Sequence, residues 1–244
     1  MKKKIKYWQF RVNVVSRLIQ INENLVFYRK LKKAYLNLLK GEELKTVVDV
    51  GVNKGQSIIF FKKLNKSVKI IGFEPNKKLY ENLKKIKYKK CDLYNLGCSS
   101  QNDNLQFYEN ILNESSTFEK VNSSSQWLKK KEKVLGVSLK NMIVDTYEIP
   151  VIRLADFLNT NYTNKKIDLV KIDVEGHEYD VLQGLFPLKN HVNYIQLEEH
   201  GDDLYLNNKE KIVKILQNNN FEKVESIKHG FGEIYDVIYQ NKRL

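Results

Sequence analysis

The chain has 244 residues, 42% of them apolar and 29% charged, which suits one mid-sized domain with an appendage and excludes global disorder. Its two cysteines, Cys91 and Cys98, lie in no metal-binding spacing, so a disulfide framework and a structural zinc cluster are out and a reducing compartment is expected. The formal charge is +13, but residues 1–45 carry 12 Lys/Arg against 3 Asp/Glu, so most of the excess sits at the N-terminus.

Residues 6–39 place Trp8, Val12, Val15, Ile19 and then Leu31, Tyr35 and Leu38 at three- and four-residue steps, the spacing of amphipathic helix. Residues 22–24 suggest a break into two helices, and Gly41 closes the second. Such a basic stretch either lies on an anionic membrane surface or packs its apolar stripe on the adjoining domain. No run reaches the length of a membrane span, and Asn13, Arg17 and Gln20 interrupt any signal core, so a soluble cytoplasmic protein is expected.

From residue 44 the period changes. Residues 44–50 and 68–73 are short β-branched runs, each followed by a helical pattern, at 56–64 and 77–87. They read as parallel strands buried on both faces. A third apolar piece lies at 94–98, with an extra strand beside it at 105–108. Residues 113–140 read as a long active-site flap carrying a helix at 126–133. After a strand at 151–154 and a short helix at 155–159, the alternation resumes: strand 167–174, helix 177–185, strand 192–198, helix 209–218. An antiparallel pair at 221–226 and 234–239 ends the chain. The predicted fold is a doubly wound α/β sandwich, a mostly parallel seven-stranded sheet with a C-terminal hairpin, over residues 44–244, preceded by helices over 1–43.

In such a sheet a ligand sits beyond the carboxyl ends of the strands. The first strand runs into Asp49-Val50-Gly51-Val52-Asn53-Lys54-Gly55-Gln56, where Gly51 and Gly55 permit a tight turn. Lys54 precedes Gly55, so no P-loop forms; Asn53 breaks a dinucleotide glycine pattern, and Asp49 would repel a pyrophosphate. S-adenosylmethionine carries a sulfonium and an ammonium and tolerates that carboxylate. The second strand ends in Glu74-Pro75, and an acidic residue there accepts hydrogen bonds from both ribose hydroxyls.

DVGVNKGQS, GFEP, ESST at 114–117, KIDVEGHE at 171–178 and IQLEEH at 195–200 together resemble the successive signatures of FkbM-type methyltransferases, over about residues 44–240. That resemblance implies an S-adenosylmethionine-dependent O-methyltransferase of the class I methyltransferase fold. Its cofactor residues would be Asp49, Gly51, Asn53, Gly55, Glu74, Pro75, Ser116 and Asp173. Its acceptor would be a hydroxyl of a sugar, a glycan precursor or a related metabolite.

Asp173, His177, Glu198 and His200, at the ends of two neighbouring strands, are expected to converge as the catalytic group. A histidine or carboxylate there would take the acceptor's proton. A divalent metal on the same groups is the less favoured arrangement. Glu178 reads as a solvated helix residue, His191 and His229 as loop residues, and Glu199 and His200 can point to opposite faces. Two other readings stand beside the first. One is an RNA methyltransferase using the basic N-terminus, although no RNA module or aromatic stacking run supports nucleic acid as a partner. The other is a non-catalytic protein that docks on membrane partners through residues 1–40.

Overall fold

The structure is a computed structural model that describes residues 11–244 except 13, 16, 19, 20, 22, 113, 114, 121–124, 139, 140, 164, 165, 201–208, 231 and 232. The helical pattern expected before residue 11, Glu114 of the ESST motif and Ser123 of the expected flap lie outside the described residues.

A π-helical turn at Glu23–Phe27 runs directly into α1 (Tyr28–Leu39), so the chain widens where a break was expected. Then follow β1 (Thr46–Val50), α2 (Gln56–Leu64), β2 (Lys69–Phe73), α3 (Lys77–Ile86) and β3 (Cys91–Tyr94). Strands β4 (Gly97–Ser99) and β5 (Asp103–Asn110), helix α4 (Gln126–Leu135), strand β6 (Ile143–Arg153) and helix α5 (Leu154–Asn161) come next. The chain ends with β7 (Ile167–Ile172), α6 (Glu178–Leu185), β8 (Val192–His200), α7 (Lys209–Asn218), β9 (Phe221–Lys228) and β10 (Ile234–Asn241).

Seven strands form the main sheet in the order β3-β2-β1-β7-β8-β10-β9; all neighbours are parallel except β10, which is antiparallel to β8 and β9. This is the predicted doubly wound sheet with its closing hairpin. Alternate strand residues face opposite layers. Val47, Ile70, Leu169 and Ile238 pack with α1, α2 and α3, whereas Val48, Ile71, Val170 and Leu197 pack with α5, α6 and α7.

The first departure is the third strand. The main sheet takes residues 91–94, and the apolar piece at 97–99 joins a separate three-stranded sheet, β4-β6-β5, in which β6 lies between the other two. Much of β6 is exposed or half-buried on both faces, so it lacks the apolar run by which a buried strand is read. Helix α6 crosses close to this small sheet: a Cβ at Gly184 would stand 2.1 Å from the Ser99 carbonyl oxygen.

The N-terminal helix is no appendage. Leu31 and Tyr35 are 2% and 1% exposed and share one core with Phe60, Phe61 and Leu83. Burying each such side chain stabilises the fold by about 1.5–3 kcal/mol, so α1 belongs to the domain it precedes. Both cysteines are free. Among the described residues no helix is long and apolar enough to cross a membrane.

Candidate active site

The carboxyl ends of β1, β2, β7 and β8 and the amino end of the antiparallel β10 open on one cleft. Its floor is the turn after β1. Gly51 has φ +86°, and a Cβ on it would lie 1.9 Å from the Asp173 carbonyl oxygen, so glycine is required for both conformation and space. Gly51 N–H and Val52 N–H both donate to the Phe73 carbonyl, at 3.0 and 3.2 Å, pinning the turn to the end of β2. Asn53 (φ +53°) and Gly55 (φ +87°) complete the turn, and Gly55 caps α2.

Glu74 follows the last residue of β2 and lines the cleft. Its two carboxylate oxygens accept from Asn53 N–H at 2.7 Å and Asn76 N–H at 2.8 Å, which leaves lone pairs on each oxygen for a ligand's hydroxyls. Burial pushes its carboxyl up to about 7, against the two backbone donors. Pro75 and Asn53 line the cleft beside it.

Asp49 is placed differently from expectation. It is fully buried and stands behind the cleft wall, accepting from the Ser57 hydroxyl, with Lys171 Nζ 3.7 Å away. Burial raises its carboxyl, and Lys171 opposes that rise. Lys171, which no sequence argument singled out, also bonds Asp173 Oδ2 at 2.9 Å and lines the cleft. Burial pushes the Lys171 ammonium down, but Asp173 and then Asp49 outweigh it and hold it well above the ordinary lysine range. For Asp173, likewise, burial pushes the carboxyl up, and Lys171 brings it below its ordinary value. A lysine next to the carboxyl end of a largely apolar strand (IDLVKI), where the ligand cleft opens, was the available signal.

The turn after β7 corrects two readings. Glu178 is 4% exposed, not solvated; its carboxylate folds back to accept from Gly176 N–H at 3.1 Å and Val174 N–H at 3.3 Å. It thereby braces a turn in which Glu175 (φ +53°) and Gly176 (φ +102°) are left-handed. His177 is buried away from the cleft. Its Nδ1 meets Glu119 Oε1 at 2.7 Å and its Nε2 meets Ser99 Oγ at 3.0 Å. With both ring nitrogens engaged in joining α6, β4 and the 115–120 segment, His177 is a clamp. The structure does not bring it to the other three expected catalytic residues.

The clamped segment forms the facing wall. Ser116 and Thr117 line the cleft; Ser116 Oγ accepts from Asn110 N–H at 3.0 Å, and Thr117 Oγ1 donates to the Glu175 carbonyl at 2.6 Å.

Asp173 and Glu198 do converge. They follow the paired residues Ile172 and Leu197 on adjacent strands, and both line the cleft. His200 Nε2 bonds Glu198 Oε2 at 3.0 Å and lies 3.7 Å from Glu175 Oε2. Burial opposes a charge on His200, but the Glu198 hydrogen bond and the surrounding carboxylates raise it to about 10, so it is an imidazolium at neutral pH. Burial, then Asp173, pushes the Glu198 carboxyl up. Glu175, Glu198 and His200 stand close enough to share a cation, as do Glu119, His177 and Asp180. Glu199 turns away and accepts from the Tyr239 hydroxyl at 2.6 Å.

The far end of the cleft was not foreseen. His229 lines it, stacked on Phe27 with ring centroids 4.0 Å apart and Nε2 3.8 Å from Asp236 Oδ2. Burial opposes its charge, but Asp236 raises the imidazole to about 9. Asp236 also accepts from Gln196 Nε2 at 3.0 Å, and Gln196 Oε1 accepts from the Tyr35 hydroxyl of α1. Phe27, Tyr28 and Phe60 add an aromatic wall that reaches the cleft from the π-helical turn, α1 and α2. His191, by contrast, is exposed at the opposite edge of the sheet, just before β8.

Five carboxylates, Glu74, Asp173, Glu175, Glu198 and Asp236, line the cleft against the cations of Lys171 and His229. Such a lining repels a diphosphate and suits a ligand that is itself a cation. Asn53 Oδ1, buried and without a hydrogen bond among the described residues, is a ready acceptor for a ligand donor, and the Gly51 cradle is one that a single Cβ would fill. These residues fit S-adenosylmethionine.

Sheet order, glycine cradle and the acid ending β2 define a Rossmann-like methyl-donor domain. The match to known families agrees: residues 49–229 fit the Methyltransferase FkbM domain, and the chain belongs to that family. Methyltransferase 1 of Beauveria bassiana (strain ARSEF 2860) is 28% identical over 151 residues. The alignment covers 57% of either protein, so the chain spans a little over half the length of that relative. Among solved structures, Aeropyrum pernix fibrillarin with bound S-adenosyl-L-methionine is similar at TM-score 0.49 and 9% identity, over 85% of this chain and 74% of that one. Magnesium protoporphyrin IX methyltransferase from Synechocystis is similar at TM-score 0.48 and 12% identity, over 91% and 81%. Likeness at that level carries nothing about the acceptor.

Proposed function

We propose that the chain moves a methyl group from S-adenosylmethionine to a hydroxyl of a sugar, a glycan precursor or a related small metabolite, as a cytoplasmic enzyme. The observation that carries this reading is the placement of Glu74, Asp173 and Glu198 at three strand ends around one cleft floored by Gly51. When bound, S-adenosylmethionine supplies an electrophilic methyl group on a sulfonium. Glu74 and Asn53 would take the ribose hydroxyls, and the 51–55 turn with Ser116 would hold the rest of the donor. Lys171 faces both Asp49 and Asp173 from below and opposes the upward push of burial on their carboxyls. Asp49 then acts on the donor through Lys171 and Ser57, not by touching it.

Residues at the ends of β2, β1 and β7 would hold the donor, which would leave those of β8 and β10 to the acceptor. There Glu198, its basicity raised by burial, would accept the hydroxyl proton as the methyl C–S bond breaks and the new C–O bond forms, and the His200 imidazolium beside it would hold the carboxylate in place. Phe27, Tyr28 and Phe60 offer ring faces to the C–H side of a pyranose, while Gln196 and Asp236 can bond its hydroxyls. The test is transfer of a tritiated methyl group to a panel of nucleotide sugars, lipid-linked glycans and RNA, with and without a divalent cation. Label in the saccharides at pH 8 supports the reading; label in RNA alone, or in nothing, overturns it.

A further inference from the structure

The two helical layers of the sandwich differ sharply in charge. Helices α1, α2 and α3, which cover one face of the sheet, carry ten Lys/Arg and a single acid, Glu81. Helices α5, α6 and α7, on the opposite face, carry three basic and four acidic residues. The concentration peaks between residues 62 and 90, which hold eleven lysines, no arginine and two acids, one of them the buried Glu74. Nine of those lysines are exposed, and among the described residues only Lys69 has a carboxylate partner, Asp92. Like charges crowd each other here; Lys62, lowered first by burial, is lowered further by Lys90 and Lys69. Such crowding does not help the stability of the fold, and an external anion would relieve it.

We infer that the α1–α2–α3 layer is a docking face for an anionic lipid bilayer, which would hold the cleft at a membrane surface. Two observations select a bilayer over a nucleic acid. The charges between 62 and 90 are all ammonium groups, compact point charges suited to a diffuse anionic plane, whereas phosphate and base recognition favours the guanidinium fork. Each helix also raises one large aliphatic side chain among its lysines: Leu36 on α1, Ile59 on α2 and Ile86 on α3 are 57%, 45% and 55% exposed. One exposed aliphatic needs no explanation, but one on every helix of the single basic layer supplies the apolar contacts that interfacial binding combines with charge.

This inference rests on the acceptor reading only for its purpose, since the first turns of α1 and α2 line the cleft at one border of the layer. Binding itself is independent of turnover, so its test is separate from the methyl-transfer screen. The full chain is sedimented with vesicles of phosphatidylcholine and with vesicles containing 30% phosphatidylserine, at low and high salt, and RNA of mixed sequence is titrated in parallel. Two variants accompany it, one with Lys63→Glu, Lys66→Glu, Lys84→Glu and Lys85→Glu together, the other with Ile59→Ser and Ile86→Ser. Circular dichroism and S-adenosylmethionine affinity establish that each is folded. The expected result is binding to the phosphatidylserine vesicles only, reduced at least tenfold by the lysine variant and by 0.5 M salt, and severalfold by the isoleucine variant. Equal binding by wild type and lysine variant, no binding to anionic vesicles, tighter binding to RNA, or indifference to the isoleucine changes would each overturn it.

Discussion

Gly51 and Asp173 are in direct contact: the Cα of one packs so closely on the carbonyl of the other that a methyl group at Gly51 would lie 1.9 Å from the Asp173 oxygen. Two motifs 122 residues apart in the chain thus meet as one floor, with Asp173 N–H donating to the Val50 carbonyl at 3.0 Å. Gly51→Ala must both hold a left-handed backbone, at a cost of about 1–2 kcal/mol, and push β1 and β7 apart. The expected outcome is a measurable drop in urea stability and at least a tenfold loss of S-adenosylmethionine affinity by calorimetry.

Lys171 makes a second linkage testable. Removing it in Lys171→Met leaves Asp49 buried with an uncompensated charge, a loss of about 3–5 kcal/mol for a broken buried pair. Adding Asp49→Asn removes that charge, so the double variant should regain a large share of the stability. Additive losses in denaturant melts would show that the pair is not coupled.

Glu74 gives the pH dependence its sign. Its carboxyl is raised from its ordinary value to about 7, so the stability it contributes is present in full below about 4.5 and is lost as pH rises through 7. Ligand binding runs the other way, because the ionised carboxylate is the better acceptor for ribose hydroxyls. S-adenosylmethionine affinity should rise about five- to tenfold from pH 6 to pH 8. Glu74→Gln should flatten that rise while weakening binding throughout.

His177 and Glu198 should separate cleanly in kinetics. Glu198→Gln is expected to lower kcat by about 10²–10⁴ and leave cofactor affinity within severalfold, as for a lost proton acceptor. His177→Ala releases Glu119 and Ser99, so it should lower stability and raise both substrate KM values with the pH profile of kcat unmoved. A shifted profile in His177→Ala would return it to the chemistry.

Phe27→Ala tests the aromatic wall. It should raise the acceptor KM about tenfold or more with donor affinity unchanged, measured by steady-state kinetics and calorimetry. Equal losses for donor and acceptor would place Phe27 over the cofactor.

The sequence disclosed what depends on local pattern. The apolar runs of β1, β2, β7 and β8 and the amphipathic helices between them gave the doubly wound, mostly parallel sheet, and Glu74, Asp173 and Glu198 came to the cleft because strand ends define it. What failed depends on side-chain direction and on contacts distant in the chain. His177 and Glu178 follow the same strand end as Asp173, yet the left-handed turn at 175–176 turns both away from the ligand. Asp49 points behind the wall because Ser57 and Lys171 hold it there. Strand β6 was read only at its end, at 151–154, because the rest of it pairs in a half-exposed sheet, and His229 was missed because its partners, Phe27 and Asp236, are brought to it only by the fold.

The central claim is that this acidic cleft holds a cationic methyl donor and not a diphosphate. Calorimetry of the wild-type chain with S-adenosylmethionine, repeated in the presence of NAD, tests it most directly. One-to-one binding that NAD leaves undisturbed and that Glu74→Ala removes is the expected result. NAD binding competitively in the same cleft, or S-adenosylmethionine affinity untouched by Glu74→Ala, would contradict it.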